Sequence, residues 1–331
     1  MNEKPYLSIV VASRNDDHDG TLLFRMQTFL ATLLYQLSAV TLQVELIIVE
    51  WNPPENRPLL TQVLFFKNKP KNCTISVITV PRSVHTRFKN SDKLGLFQFI
   101  AKNVGIRRAT GKFILSTNID ILFNTRLIWH IAKRLLKENE VVRAVRFDVP
   151  QTLPRNLHKD ELLDYCWNHR IRVFWPWGTS DFSNTRHNVA ADFIDNIRLT
   201  LFYGAYTNAC GDFTLMHRKN WYKLRGYPEY PLHGVKLDSL LLHNAIASGI
   251  QQRILPLDCC VYHIDHAHSW STMRRGSLIE YFQKKGVPTI DPKKYQSLLL
   301  KMKTEKRPIQ YNDSDWGLSK NKLEEHIVSS K

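Results

Sequence analysis

Acidic residues and histidines collect in this chain where apolar runs stop. Leu7-Ser8-Ile9-Val10-Val11-Ala12 gives way to Ser13-Arg14-Asn15-Asp16-Asp17, Val44 to Val49 ends on Glu50, and Lys112-Phe113-Ile114-Leu115-Ser116 leads to Asn118-Ile119-Asp120. Three such ends can present carboxylates to one crevice. There a carboxylate accepts charge-assisted hydrogen bonds or supplies oxygen to a cation. A further cluster, His263-Ile264-Asp265-His266-Ala267-His268, holds three histidines and an aspartate within six residues. Its HxxH and HxH spacings would suit zinc, but no Cys or His partner with zinc-like spacing stands elsewhere. Two more acids complete the set. Asp212 follows Gly211, and Asp238 opens the stretch Ser239-Leu240-Leu241, where it can cap a helix or take a proton from a hydroxyl.

The elements around these residues alternate. Leu7 to Ala12 reads as a buried strand followed by a polar loop. Leu22, Met26, Phe29, Leu33 and Leu37 stand at helical spacing between Thr21 and Leu37. Val44 to Glu50 is a second strand, stopped near Pro53-Pro54, and Ile75 to Val80 a third, stopped by Pro81. Phe97 to Ala109 predicts a helix with Gly111 near its stop, and Lys112 to Ser116 a fourth strand. This alternation predicts an α/β fold with a Rossmann-like, doubly wound, mostly parallel sheet, whose ligands bind beyond the carboxyl ends of strands. From about Pro150 to Asn208 the chain turns aromatic, with Trp167, Phe174, Trp175, Trp177, Tyr203 and Tyr206, and reads as irregular with short helices. Order returns with a strand at Phe213 to Met216, helices near 219–224 and 237–248, and a strand through Ile254 to Ile264. The stretch from about Ser271 onward is basic and partly amphipathic.

Size and charge exclude some classes. A chain of 331 residues, 43% hydrophobic and 23% charged, can bury a sizeable core. No run approaches the roughly 18–20 apolar residues of a membrane span, and Leu7 to Ala12 is too short for a signal core, so a cytoplasmic protein is expected. The five cysteines (Cys73, Cys166, Cys210, Cys259, Cys260) show no CxxC spacing and argue against a disulfide framework. A net charge of +16 is compatible with nucleic acid, an anionic membrane or a phosphate-bearing substrate. An NAD-linked dehydrogenase would need G-x-G-x-x-G after the first strand, and it is absent. A sugar nucleotidyltransferase is an alternative, but it would want a Gly-rich basic signature where Ser13 to Asp17 is acidic. A nucleic-acid-binding protein is the alternative on charge, although clustered carboxylates would repel a phosphate backbone unless a metal intervened.

The most specific segment runs from Ala101-Lys102-Asn103 through Gly111-Lys112-Phe113 to Asn118-Ile119-Asp120. Here the chain resembles the glycosyltransferases of the A fold (GT-A), especially family 2-like enzymes. These carry a basic residue and Asn on a helix, a glycine before an apolar strand, and then an Asp-x-Asp motif. The first carboxylate of that motif is an amide in this chain. The resemblance covers roughly residues 5–270. It implies a transferase domain over residues 1–270, with 1–125 binding the nucleotide-sugar and 126–270 serving acceptor and metal, followed by a C-terminal helical extension over 271–331. It implies sugar transfer from a UDP- or GDP-sugar to the hydroxyl of a glycan or lipid-linked acceptor, with Mn2+ or Mg2+ as cofactor. Asp120 would bind the metal with His263, or with His266 as second choice, and His268 would be a loop residue. Ser13, Arg14, Asp16, Glu50, Lys102, Asn103 and Asn118 would seat the donor, Glu50 standing where most relatives have Asp. Asp238, or else Asp212, would be the base of an inverting reaction. The basic stretch from Arg274 onward, with Arg275, Lys284, Lys285, Leu278, Ile279, Tyr281, Phe282 and Leu298 to Leu300, would either pack on the sheet or touch an anionic membrane. Nucleic acid is not an expected partner.

Overall fold

In the computed structural model, which describes residues 4–17, 20–181, 189–266, 281–282 and 284–329, the four early apolar runs form parallel strands. They are β1 (Leu7–Ser13), β2 (Val44–Trp51), β3 (Cys73–Val80) and β4 (Phe113–Thr117). Between them lie α1 (Leu22–Ser38), the short α2 (Leu60–Val63) and α3 (Arg82–His85), and α4 (Gln98–Arg108). The chain continues through β5 (Ile121–Phe123), α5 (Thr125–Ala132), β6 (Glu140–Arg143), β7 (Arg146–Val149) and α6 (Lys159–Asn168). Then come β8 (Arg172–Trp175), β9 (Gly178–Asp181), α7 (Val189–Leu201), β10 (Phe213–His217), α8 (Arg218–Leu224) and α9 (Leu237–Ala247). The last elements are β11 (Gln251–Ile254), β12 (Val261–Ile264), α10 (Pro292–Glu305) and β13 (Glu324–Ile327).

The main sheet has the order β11-β6-β10-β4-β1-β2-β3-β13. It is mostly parallel, as expected. Strand β10 runs antiparallel between β4 and β6, and β13 runs antiparallel on β3. Alternation along β1 sends Ile9 and Val11 into one apolar cluster with Met26, Phe29 and Leu33 of α1. Val10 and Ala12 face the other way, into a cluster with Ile100 and Val104 of α4 and Leu240 and Leu241 of α9. Burying each of the larger of these side chains stabilises by about 1.5–3 kcal/mol. Helix α4 approaches β1 so closely that a Cβ on Gly105 would lie 2.5 Å from Val10 Cγ1.

A second sheet, β5-β12-β7-β8-β9, was not read from the sequence. It corrects two expectations. The stretch Ile254 to Ile264 is not one strand: β11 ends at Ile254 in the main sheet, and β12 begins at Val261 in the second. Pro256, which has no N–H to offer a ladder, lies in the break. The aromatic middle holds helices as expected, α6 and α7, but it is not otherwise irregular, because it also supplies the antiparallel pair β8–β9.

The C-terminal residues are built into the fold. Tyr295 of α10 bonds through its hydroxyl to Ser239 Oγ of α9 (2.9 Å), and Leu298 and Leu299 pack on the second cluster. Trp316 is buried beneath the guanidinium of Arg107 at 5.0 Å, and Arg108 donates to the carbonyls of Gly317, Leu318 and Asn321. His268, Arg274, Arg275, Leu278 and Ile279 lie outside the described residues.

Candidate active site

Three side chains converge beyond β4. Asp120 stands in the turn between β4 and β5, and its Oδ2 lies 4.0 Å from His263 Nε2 and 4.0 Å from His266 Nε2. Strand pairing makes this convergence. His263 lies opposite Ile121 of β5 on one side and Asp148 of β7 on the other, and Asp148 lies opposite Arg172 of β8. One row across four strands therefore carries the site and its support. Ligand atoms of Asp120, His263 and His266 all fall within 4.8 Å of one another. That is near the roughly 4.2 Å that two metal–ligand bonds of ~2.1 Å can span. One carboxylate and two imidazoles form a donor set that a first-row divalent cation accepts.

A buried ionic network stands behind His263. Arg146 donates to Asp148 Oδ1 from Nε (2.8 Å) and Nη2 (2.6 Å), and to Asp212 Oδ2 from Nη1 (2.5 Å). Arg172 donates to Asp148 Oδ2 (2.9 Å). Burial would raise the Asp148 carboxyl, but Arg146 and then His263 hold it well below the usual carboxylate range. Asp148 thus stays charged and is fully engaged. His263 Nδ1 lies 3.2 Å from Asp148 Oδ1 and 2.8 Å from Arg146 Nη2. The guanidinium can only donate, so Nδ1 accepts from Arg146 and the ring proton lies on Nε2. Ligation of a cation through Nε2 would require the other tautomer, with Nδ1–H turned to Asp148 Oδ1.

The two candidate bases differ in what surrounds them. Asp212 precedes β10, whose pairing sets Phe213 against Thr117 and so brings Asp212 beside Asn118. Its Oδ1 accepts from Asn118 Nδ2 (2.6 Å) and its Oδ2 from Arg146. Burial pushes its carboxyl up, but Arg146, His263 and Lys102 together outweigh this and leave it lowered. Asp238, in the first turn of α9, accepts from Gly211 N (2.8 Å) and Ser239 N (2.8 Å). Burial raises its carboxyl above the usual value despite these bonds.

The expected donor-binding residues separate into two groups. At the ends of β1 and β2, Ser13 pairs in register with Glu50. Arg14 donates to Asn52 O (2.7 Å) and lies 3.5 Å from Asp16. Glu50 is fully buried, accepts from Leu60 N at the start of α2 (3.0 Å), and is pushed up to about 7 by burial. Asn118 completes a chain in which Gln98 Nε2 donates to its Oδ1 (2.9 Å). The two α4 residues lie deeper. Lys102 is fully buried and donates to Gly211 O (2.7 Å), and burial lowers its ammonium to about 8 against the pull of Asp212 and Asp238. Asn103 faces the Gly226 turn rather than a crevice: it donates to Tyr227 O and Glu229 Oε1 and accepts from Tyr227 N.

Sequence reading missed Arg25, Arg146, Asp148 and Arg172. Three of them carried a signal. Arg146 and Asp148 are charges at i and i+2 of an otherwise apolar run, hence on one face of a strand. Arg25 sits three residues after Leu22 and four before Phe29, on the apolar stripe of α1. It is buried, and its Nε, without a hydrogen-bond partner, lies 3.6 Å from Asp120 Oδ2.

No protein-family model matches the chain, and no curated protein matches it. Among solved structures it is similar to the mannosyltransferase PcManGT from Pyrobaculum calidifontis in complex with GDP-Man and Mn2+. The identity is 14% and the TM-score 0.45, over 92% of this chain and 70% of that one. It is also similar to S. aureus TarS 1-349 in complex with UDP, at 13% identity and TM-score 0.42, over 89% and 70%. A longer TarS structure gives 13% and 0.41, over 89% and 42%. These likenesses are remote.

Proposed function

We propose that this chain is a glycosyltransferase that moves a sugar from a nucleoside-diphosphate donor to a hydroxyl of a glycan or lipid-linked acceptor, with inversion. The observation that supports it most is the convergence of Asp120, His263 and His266 at the carboxyl end of the parallel strands. A divalent cation there, Mn2+ by preference over Mg2+ because two of three donors are imidazoles, would offset the charge that develops on the diphosphate leaving group. Ser13, Arg14, Asp16 and Glu50, at the ends of β1 and β2, would line the nucleotide, a UDP- or GDP-sugar. Lys102 and Asn103 would support the site from beneath, and Asn118 would orient Asp212.

Asp238 is the better base. Its raised carboxyl favours uptake of a proton, whereas Asp212 is held ionised by Arg146. The acceptor oxygen attacks the anomeric carbon, its proton passes to Asp238, and the anomeric C–O bond to the diphosphate breaks. Work at an anionic membrane surface belongs to the same reading, and no helix among the described residues is long and apolar enough to cross a membrane.

Calorimetric titration tests the metal assignment. Mn2+ with UDP or GDP should bind the wild type, and Asp120→Ala should lose Mn2+-dependent nucleotide binding while melting as a folded protein. Unchanged affinity in that variant removes Asp120 from the metal site.

A further inference from the structure

Helix α1 carries a single charged residue, Arg25, and buries it: the side chain is 1% exposed, among Leu22, Met26 and Phe29. An unpaired charge in a protein interior is strongly destabilising, so this guanidinium needs partners. Its own helix supplies little. Arg25 Nη1 donates to Thr21 Oγ1 (2.7 Å), and that hydroxyl then does not cap α1. No acid stands in the first turn of the helix. Nε is buried without a hydrogen-bond partner, and the carboxylate in its reach is Asp120, whose Oδ2 lies 3.6 Å away. That is too long for a hydrogen bond and short enough for a strong ion pair.

The same oxygen is the one the two histidines share. Asp120 Oδ2 lies 4.0 Å from Nε2 of both His263 and His266. A cation held there would draw on the carboxylate that already balances Arg25. The other buried acids give Arg25 no substitute, because Asp148 and Asp212 are engaged by Arg146, and Asp148 by Arg172 as well. Like charges a few ångströms apart repel strongly where burial keeps water away. Arg25 and Asp120 cancel as a pair, and imidazole ligands are neutral. A divalent cation added to them leaves two positive charges to be balanced, and a diphosphate brings the negative charge that does so.

We propose that Arg25 is a positioning residue: it is the resident counter-ion of Asp120, it competes with a divalent cation for that carboxylate, and it thereby makes cation binding depend on a diphosphate bound beside it. The proposal rests on the reading of Asp120, His263 and His266 as a metal site, and it names the charge on this chain that governs the affinity of that site. By linkage, the factor by which a diphosphate tightens the cation is the factor by which the cation tightens the diphosphate.

Calorimetric titration of the full chain with Mn2+, alone and with saturating UDP or GDP, tests it. The wild type should bind Mn2+ weakly alone and much more tightly with the nucleotide. Arg25→Met keeps an apolar side chain on the stripe and removes the charge. It should bind Mn2+ alone on the order of tenfold tighter than the wild type and lose most of the tightening that the nucleotide gives. Arg25→Lys keeps the charge and should stay within about threefold of the wild type. Arg25→Met that binds Mn2+ alone no tighter than the wild type overturns the proposal, as does Arg25→Lys that behaves like Arg25→Met. A second readout leaves Arg25 in place. Asp120→Asn strips a buried guanidinium of its counter-ion, so in metal-free buffer it should melt below the wild type. Equal or higher melting also overturns the proposal. A wild type that binds no Mn2+ with either nucleotide overturns it together with the metal site. Mn2+ binding that Asp120→Ala abolishes and Arg25→Met leaves unchanged overturns the role of Arg25 alone.

Discussion

Asn118 stands where an Asp-x-Asp motif has its first carboxylate, and its neighbour accounts for the amide. Its Nδ2 donates to Asp212 Oδ1, and the other oxygen of that carboxylate accepts from Arg146 in the buried charge network. Asn118→Asp would set two carboxylates face to face and remove a donor, so it should destabilise by about 1–3 kcal/mol in urea denaturation. The two candidate bases should fail differently. Asp238→Asn should leave Mn2+–nucleotide affinity near wild type and lower turnover by roughly two to four orders of magnitude, the usual worth of a general base. Asp212→Asn leaves Arg146 with one partner fewer in a buried setting, so it should lower the melting temperature first. Normal turnover in Asp238→Asn, with loss confined to a well-folded Asp212→Asn, would exchange the two roles.

At the scale of elements, the sequence was most legible where apolar runs are long. Strand β1 was read as Leu7 to Ala12 and extends to Ser13, and α1 was placed between Thr21 and Leu37 and spans Leu22–Ser38. The second sheet escaped because its strands hold three or four residues each, too few for alternation to stand out. The site was legible to the same degree. Asp120 and the histidines stood at recognisable strand ends, whereas Arg146 and Asp148 matter only once β7 lies between β12 and β8. Helix propensity alone does not explain Gly105 within α4. Gly105→Ala would press a methyl onto Val10 Cγ1, a contact between two packed elements that has little room to give. It should cost about 1–3 kcal/mol, read as a shift in the denaturation midpoint with an unchanged slope.

Across the whole molecule, buried acids set a pH dependence of stability. Glu50 and Glu229 are each pushed from 4.5 up to about 7 by burial. Between these values the folded protein keeps a proton that the unfolded chain has lost. Their contribution is therefore fully present below about pH 4.5 and is lost as pH rises through about 7. His85, His130, His217 and His233, lowered by burial, act in the opposite sense at the acid end. The clean measurement is a difference: Glu50→Gln should match the wild type near pH 4.5 and gain on the order of 2–3 kcal/mol relative to it by pH 8. A pH-independent difference would show that Glu50 is ionised in the folded protein. Strand β13 carries a consequence in time. It covers the open edge of β3, yet it is made about 250 residues later, so at ~5–20 residues per second that edge waits on the order of 10–50 s during synthesis. For that interval a row of unpaired backbone groups on Cys73–Val80 is offered to any neighbouring nascent chain, and slowing translation after β3 should raise the aggregated fraction.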